Sequence, residues 1–130
     1  MESSLINHWE EFPGGQARPP GERLYVSLNT RFVLMFNQTT FEKIGCPERA
    51  VLLYDRRNSM IGVRAAPSEA KNTFPVTVTA KTHRSISITS FCRHYAIRID
   101  RAVAFQDPEV LEDGTLRLDL RTTTYVGRKA

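Results

Sequence analysis

The second half of this chain repeats the pattern of the first, and no other feature constrains the fold as strongly. At an offset of 50 to 52 residues, Leu24-Tyr25-Val26-Ser27-Leu28 meets Phe74-Pro75-Val76-Thr77-Val78, and Leu34 and Phe36 meet Ile86 and Ile88. Phe41 meets Phe91 at the expected start of a helix. Glu48-Arg49-Ala50-Val51-Leu52-Leu53-Tyr54-Asp55 meets Asp100-Arg101-Ala102-Val103-Ala104-Phe105-Gln106-Asp107, with Arg, Ala, Val and Asp at identical spacing. Two copies are too few for a solenoid, which needs at least three stacked units. Each copy has an apolar sheet face that it cannot bury alone. Pairing the copies buries both faces and removes open strand edges.

Within each copy the periodicity reads strand, strand, short helix, strand, strand. Leu24, Val26 and Leu28 alternate with polar residues, as half-buried strands do. Phe32 to Phe36 is an apolar run of strand length. Asn37 to Thr40 supply helix caps, and Gly45 and Pro47 stop the helix. Ala50–Tyr54 and Met60–Ala65 form a hairpin around Asp55–Ser59. In the second copy the turn is expected at Lys81–Arg84, a cap at Ser90, a strand at Ala102–Gln106 and a long turn at Asp107–Gly114. The expected fold is mainly β with short helices (α+β), a single-chain pseudo-twofold barrel of two ββαββ units.

The organisation is one domain over 24–130, with repeat one at 24–66, a linker at 67–73, repeat two at 74–121 and a polar, basic tail at 122–130. Residues 1–23 read as a flexible arm, because Phe12-Pro13-Gly14-Gly15 and Arg18-Pro19-Pro20-Gly21 break helix and strand alike. Trp9 and Phe12 in that arm are candidate anchors for a protein partner.

The first copy resembles the AbrB/MazE swapped-hairpin family. The residues that carry the resemblance are Tyr25–Phe36, Phe41-Glu42-Lys43-Ile44-Gly45-Cys46-Pro47, Ala50–Asp55 and Ile61-Gly62-Val63-Arg64. It spans residues 23–66, and more weakly 74–121. The family's usual proline after the second strand is Asn37 here, and its Gly-Asp before the third strand is Glu48-Arg49. The family unit is normally present once per chain and dimerises into an interlocked barrel, so two copies in one chain make a pseudo-dimer. The related double-psi barrel is the other topology built this way. The resemblance implies a bacterial transcription regulator or antitoxin that meets DNA through basic side chains near each first hairpin. Those positions are Arg31, Lys81 and Arg84 here, and Arg56 and Arg57 add charge on another turn.

Charge fits that expectation in part. The chain has a net charge of +4, of which residues 1–22 contribute −3 and the remainder +7. A basic body points to a polyanion or an acidic protein as partner. The second copy alone is close to neutral. A non-enzymatic protein-interaction module, binding another protein or a second copy of itself, is the alternative.

Other classes lack their signatures. His8, His83 and His94 show no metal-ligand spacing, and no G-x-S-x-G, P-loop or dinucleotide fingerprint is present. No catalytic residue, metal or cofactor is assigned. Arg49 and Arg101 are expected to pair with Asp55 and Asp107. Cys46 and Cys92 read as two small buried thiols of a reduced compartment. Met1 to His8 lacks the basic and apolar regions of a secretion signal, and no apolar run is long enough for a membrane span, so a cytoplasmic protein is expected.

Overall fold

The computed structural model describes residues 23–67, 69–80 and 83–126. The elements are β1 (Val26–Leu28), β2 (Val33–Asn37), α1 (Gln38–Lys43), β3 (Arg49–Asp55), β4 (Met60–Ala65), β5 (Phe74–Pro75), β6 (Thr77–Ala80), β7 (His83–Ser87), α2 (Thr89–His94), β8 (Val103–Phe105), β9 (Glu109–Val110), β10 (Leu116–Asp119) and β11 (Thr123–Tyr125). The strands form two antiparallel sheets, ordered β11-β8-β1-β2-β7-β6 and β5-β3-β4-β10-β9. The described residues are therefore mainly β with two short helices, as the alternation predicts.

The period-two positions make the core. Val26, Leu28, Leu34, Phe36, Ile86, Leu116 and Leu118 are fully buried. Their alternation puts one side of each strand against the other sheet. Each such side chain contributes about 1.5–3 kcal/mol by leaving water. Arg117, between Leu116 and Leu118, points outward and is exposed.

Four ladders tie the halves together reciprocally. β1 pairs with β8, and β3 with β5, so the first strand of each half meets the third of the other. β2 runs antiparallel to β7 with Leu34 opposite Ile86, the residues that the internal alignment equates. β4 runs antiparallel to β10. Among the described residues the ladders do not close into the expected barrel: each sheet ends in edges, β11 and β6 in one, β5 and β9 in the other. Chain crossovers join the sheets instead. Only Val76 separates β5 from β6, and its N–H donates to the Glu48 carbonyl (2.9 Å) at the end of the β5 ladder. Residues 120–122 make the second crossing, from β10 to β11.

Local chemistry explains the helix ends. Asn37 caps α1, its Oδ1 accepting from the Thr40 N–H (3.0 Å) and hydroxyl (2.6 Å) while its Nδ2 donates to the Arg23 carbonyl (2.7 Å). Buried Thr40 also accepts from the Tyr25 N–H (3.0 Å), which anchors the chain entering β1. The expected Ser90 cap is not used. α2 starts two residues earlier, after Ile88 with no side-chain cap, and the Thr89 hydroxyl donates instead to the Arg31 carbonyl (3.4 Å).

Both helices close with the same six-to-one bond, Cys46 N–H to the Phe41 carbonyl (2.9 Å) and Ile97 N–H to the Cys92 carbonyl (2.8 Å). The left-handed residue in this closure is Gly45 (φ 95°) after α1 but Ala96 (φ 56°) after α2. An alanine Cβ is crowded in that conformation, and glycine is not. Ala96→Gly is expected to raise stability by about 0.5–1 kcal/mol, read as a higher denaturant midpoint at unchanged slope.

Three further expectations are corrected. The tail expected from residue 122 contains β11, which pairs with β8. The long turn at 107–114 contains β9, paired with β10. Of the two thiols, Cys92 is buried but Cys46, turned outward just past α1, is exposed. Burial pushes the Cys92 thiol up to about 11. It therefore stays protonated at neutral pH, where the thiolate is the reactive form. A thiol-reactive dye at pH 8 is expected to label Cys46 in the native protein and Cys92 only after denaturation; two rapidly reacting native thiols would contradict this packing.

Candidate nucleic-acid interface

The basic side chains divide by what they touch. Arg49 donates to the Thr73 hydroxyl (2.5 Å) and carbonyl (3.0 Å). Its expected partner, Asp55, stands at the other end of β3, roughly 20 Å away at the strand rise of about 3.3 Å per residue. Arg64 donates to the Thr115 hydroxyl (3.1 Å) and lies 3.9 Å from Asp113. Arg117 pairs with Glu109, and Arg121 with Asp119 (3.2 Å). Arg101 lies over the Tyr125 ring (4.1 Å) rather than against Asp107. By contrast, Arg31, Arg93 and Arg98 are exposed and have no side-chain partner among the described residues.

These three converge on one end of the molecule. Arg31 lies in the β1–β2 turn, whose Asn29 Oδ1 accepts from the N–H groups of Arg31 (2.9 Å) and Val33 (3.0 Å). The next residue, Phe32, accepts at its carbonyl from the Ile88 N–H (2.8 Å) just before α2. Phe32 then lines a cleft of about 440 Å³ together with Cys92, Arg93, Ala96, Ile97, Arg98 and Ile99. Arg98 also borders an adjacent cleft that includes Tyr54, Ser59 and Arg121.

Arg56 joins the same end from the β3–β4 turn, its guanidinium 5.2 Å from the Tyr95 ring centroid. Tyr95 packs in turn on Tyr54 (4.7 Å), Phe91 (5.1 Å) and His94 (4.6 Å). This aromatic cluster fixes the last turn of α2 against β3. Arg57 follows Arg56 and is exposed beside Asp55.

Of the residues singled out in the sequence, Arg31 and Arg56 are therefore gathered around α2, with Arg57 next to Arg56 in the β3–β4 turn. Arg84 is not. It lies on β7 rather than in a turn, opposite Phe36 at the far end of the β2·β7 ladder from Arg31, with its guanidinium 4.4 Å over Phe41. Lys81, Trp9 and Phe12 lie outside the described residues. Arg93 and Arg98 escaped the sequence reading because neither belongs to a basic run; only the tight closure at Ala96 places both on one cleft.

Among the described residues no acidic side chain lines the α2 cleft. Three carboxylates elsewhere are held below the usual range by local hydrogen bonds: Asp55 by the Asn58 side chain, Asp113 by the Thr115 N–H, and Asp119 by the Arg121 side chain. At neutral pH each is ionised and occupied. Among the described residues no group of three His, Cys, Asp or Glu side chains is arranged to hold a metal ion, and no helix is long and apolar enough to cross a membrane.

No protein-family model, curated protein or solved structure matches the chain.

Proposed function

We propose that this protein binds DNA through its phosphate backbone, with the α2 end as the contact surface, in the manner of a swapped-hairpin regulator or antitoxin. The observation that carries the reading is the partition of the arginines. Arg31, Arg93 and Arg98 are exposed at one end with no side-chain partner among the described residues, while Arg117 and Arg121 pair with Glu109 and Asp119, and Arg49, Arg84 and Arg101 lie on Thr73, Phe41 and Tyr125. Phosphate contacts need exposed cations with no internal counter-ion, since a guanidinium already paired gains little by exchanging partners.

The architectural part of the proposal is a fused pseudo-dimer. Its support is the antiparallel β2·β7 register about Leu34 and Ile86, together with the exchange of first and third strands between halves. In that reading the two sheets wrap as a barrel, with the crossovers at Val76 and 120–122 standing where ladder bonds close the family's barrel.

Titration of a labelled duplex by fluorescence anisotropy tests the function. Binding that weakens linearly in log affinity against log salt is the expected result. Absence of binding at low salt overturns it, and moves the reading to a protein-interaction module. The observation favouring that second reading is Val78, 64% exposed on edge strand β6.

A further inference from the structure

We infer that the cleft beside α2 takes one unpaired nucleotide of single-stranded DNA, its base between the apolar walls and its flanking phosphates on Arg93 and Arg98. The inference rests on the phosphate-binding reading above and adds what fills the space between the arginines. The volume of about 440 Å³ is in the range of clefts that enclose a small organic group. Apart from the two arginines, its lining is Phe32, Cys92, Ala96, Ile97 and Ile99. A duplex presents phosphates outward and keeps its bases stacked, so it leaves half-buried Phe32 and Ile99 and exposed Ala96 uncovered, with Cys92 and Ile97 buried behind them. An unpaired base supplies the missing partner, an apolar π-face that stacks on an aromatic ring such as Phe32. Among the described residues the lining has no neutral hydroxyl, amide or carboxylate side chain, so its side chains offer stacking surface and guanidinium groups. The DNA-binding reading above makes that strand DNA, and the oligouridine arm of the test separates it from RNA.

The walls and the cations are held in fixed relation. Phe32 (φ 61°) and Ala96 (φ 56°) both adopt left-handed backbone, and both line this cleft. Bulky residues rarely tolerate that conformation unless surrounding bonds impose it. Those bonds are present: Phe32 N–H to the Asn29 carbonyl (2.9 Å), Ile88 N–H to the Phe32 carbonyl (2.8 Å) and Ala96 N–H to the Arg93 carbonyl (3.3 Å). The last one ties the apolar wall to the arginine that would take the phosphate.

The experiment compares four labelled oligomers of equal phosphate count on the full-length chain: oligodeoxythymidine, a DNA hairpin duplex, an abasic deoxyribose oligomer and oligouridine. Oligodeoxythymidine is expected to bind at least about fivefold more tightly than the duplex and the abasic oligomer, and no more weakly than oligouridine. Phe32→Gly suits the backbone at that position and removes the ring; it should bring the ratio of single strand to duplex to about one. The abasic comparison needs no variant, so loss of folding in Phe32→Gly does not blunt the test. Equal binding of duplex or abasic oligomer, or preference for oligouridine, overturns this inference and leaves the phosphate-binding reading standing. Failure of every oligomer to bind overturns both.

Discussion

Replacing Arg31, Arg93 and Arg98 together by alanine is expected to weaken duplex DNA binding on the order of a hundredfold at about 0.1 M salt. Each phosphate contact contributes close to 0.9 to the slope of log affinity against log salt. Removing three should lower the slope by about 3 and leave little affinity above a weak background. The decisive control removes the same charge elsewhere. Arg49, Arg101 and Arg117 are occupied by Thr73, Tyr125 and Glu109, respectively. Their triple alanine variant should keep most of the affinity. If the two triple variants lose binding equally, net charge rather than the α2 end is responsible, and the assigned surface is wrong.

Phe36→Ala is expected to cost about 3–5 kcal/mol, the range for deleting a fully buried aromatic side chain. At about 4 °C per kcal/mol for a domain of this length, the melting temperature should fall by roughly 12–20 °C. The size of the effect follows from where the ring sits. Phe36 is fully buried on β2, between β1 and β7, and its ring stacks 6.5 Å from Phe41 of α1. Phe41 in turn supports the Arg84 guanidinium. Deleting Phe36 therefore removes core contacts and the platform of a neighbouring cation–π pair. A loss near 1 kcal/mol, measured by urea unfolding, would mean that the two sheets do not pack through this residue.

The parts of the fold that were legible in the sequence are those written in side-chain periodicity. Val26, Leu28, Ile86, Leu116 and Leu118 alternate with polar neighbours, Leu34 and Phe36 stand two apart in an apolar run of strand length, and all seven are fully buried. The Asn37 cap and the Gly45 stop were legible for a similar reason, because each acts on backbone groups within a few residues. β11 was not, since Thr123, Thr124 and Tyr125 bury no regular face and owe their strand to the waiting edge of β8. The place of Arg84 was missed because a histidine and an arginine after a threonine read as turn, whereas pairing with β2 draws them into β7. Long-range pairing overrode local composition in both cases. The α2 end was only half visible. Arg31, Arg56 and Arg57 advertise themselves as charged turns, but their meeting with Arg93 and Arg98 depends on tertiary packing around Tyr95 and Phe32.

One consequence follows from having both helices on a single polypeptide. Aligned on their ends, Gln38 with Thr89 and Lys43 with His94, the helices place Glu42 against Arg93 and Pro47 against Arg98. A homodimer of identical subunits must show the same surface twice, and such proteins favour palindromic targets. Here the two poles are free to diverge: one gathers cations while its counterpart has an acid and an imino acid at those sites. A molecule polarised in this way has a front and a back, and would approach a strand of nucleic acid from one direction only.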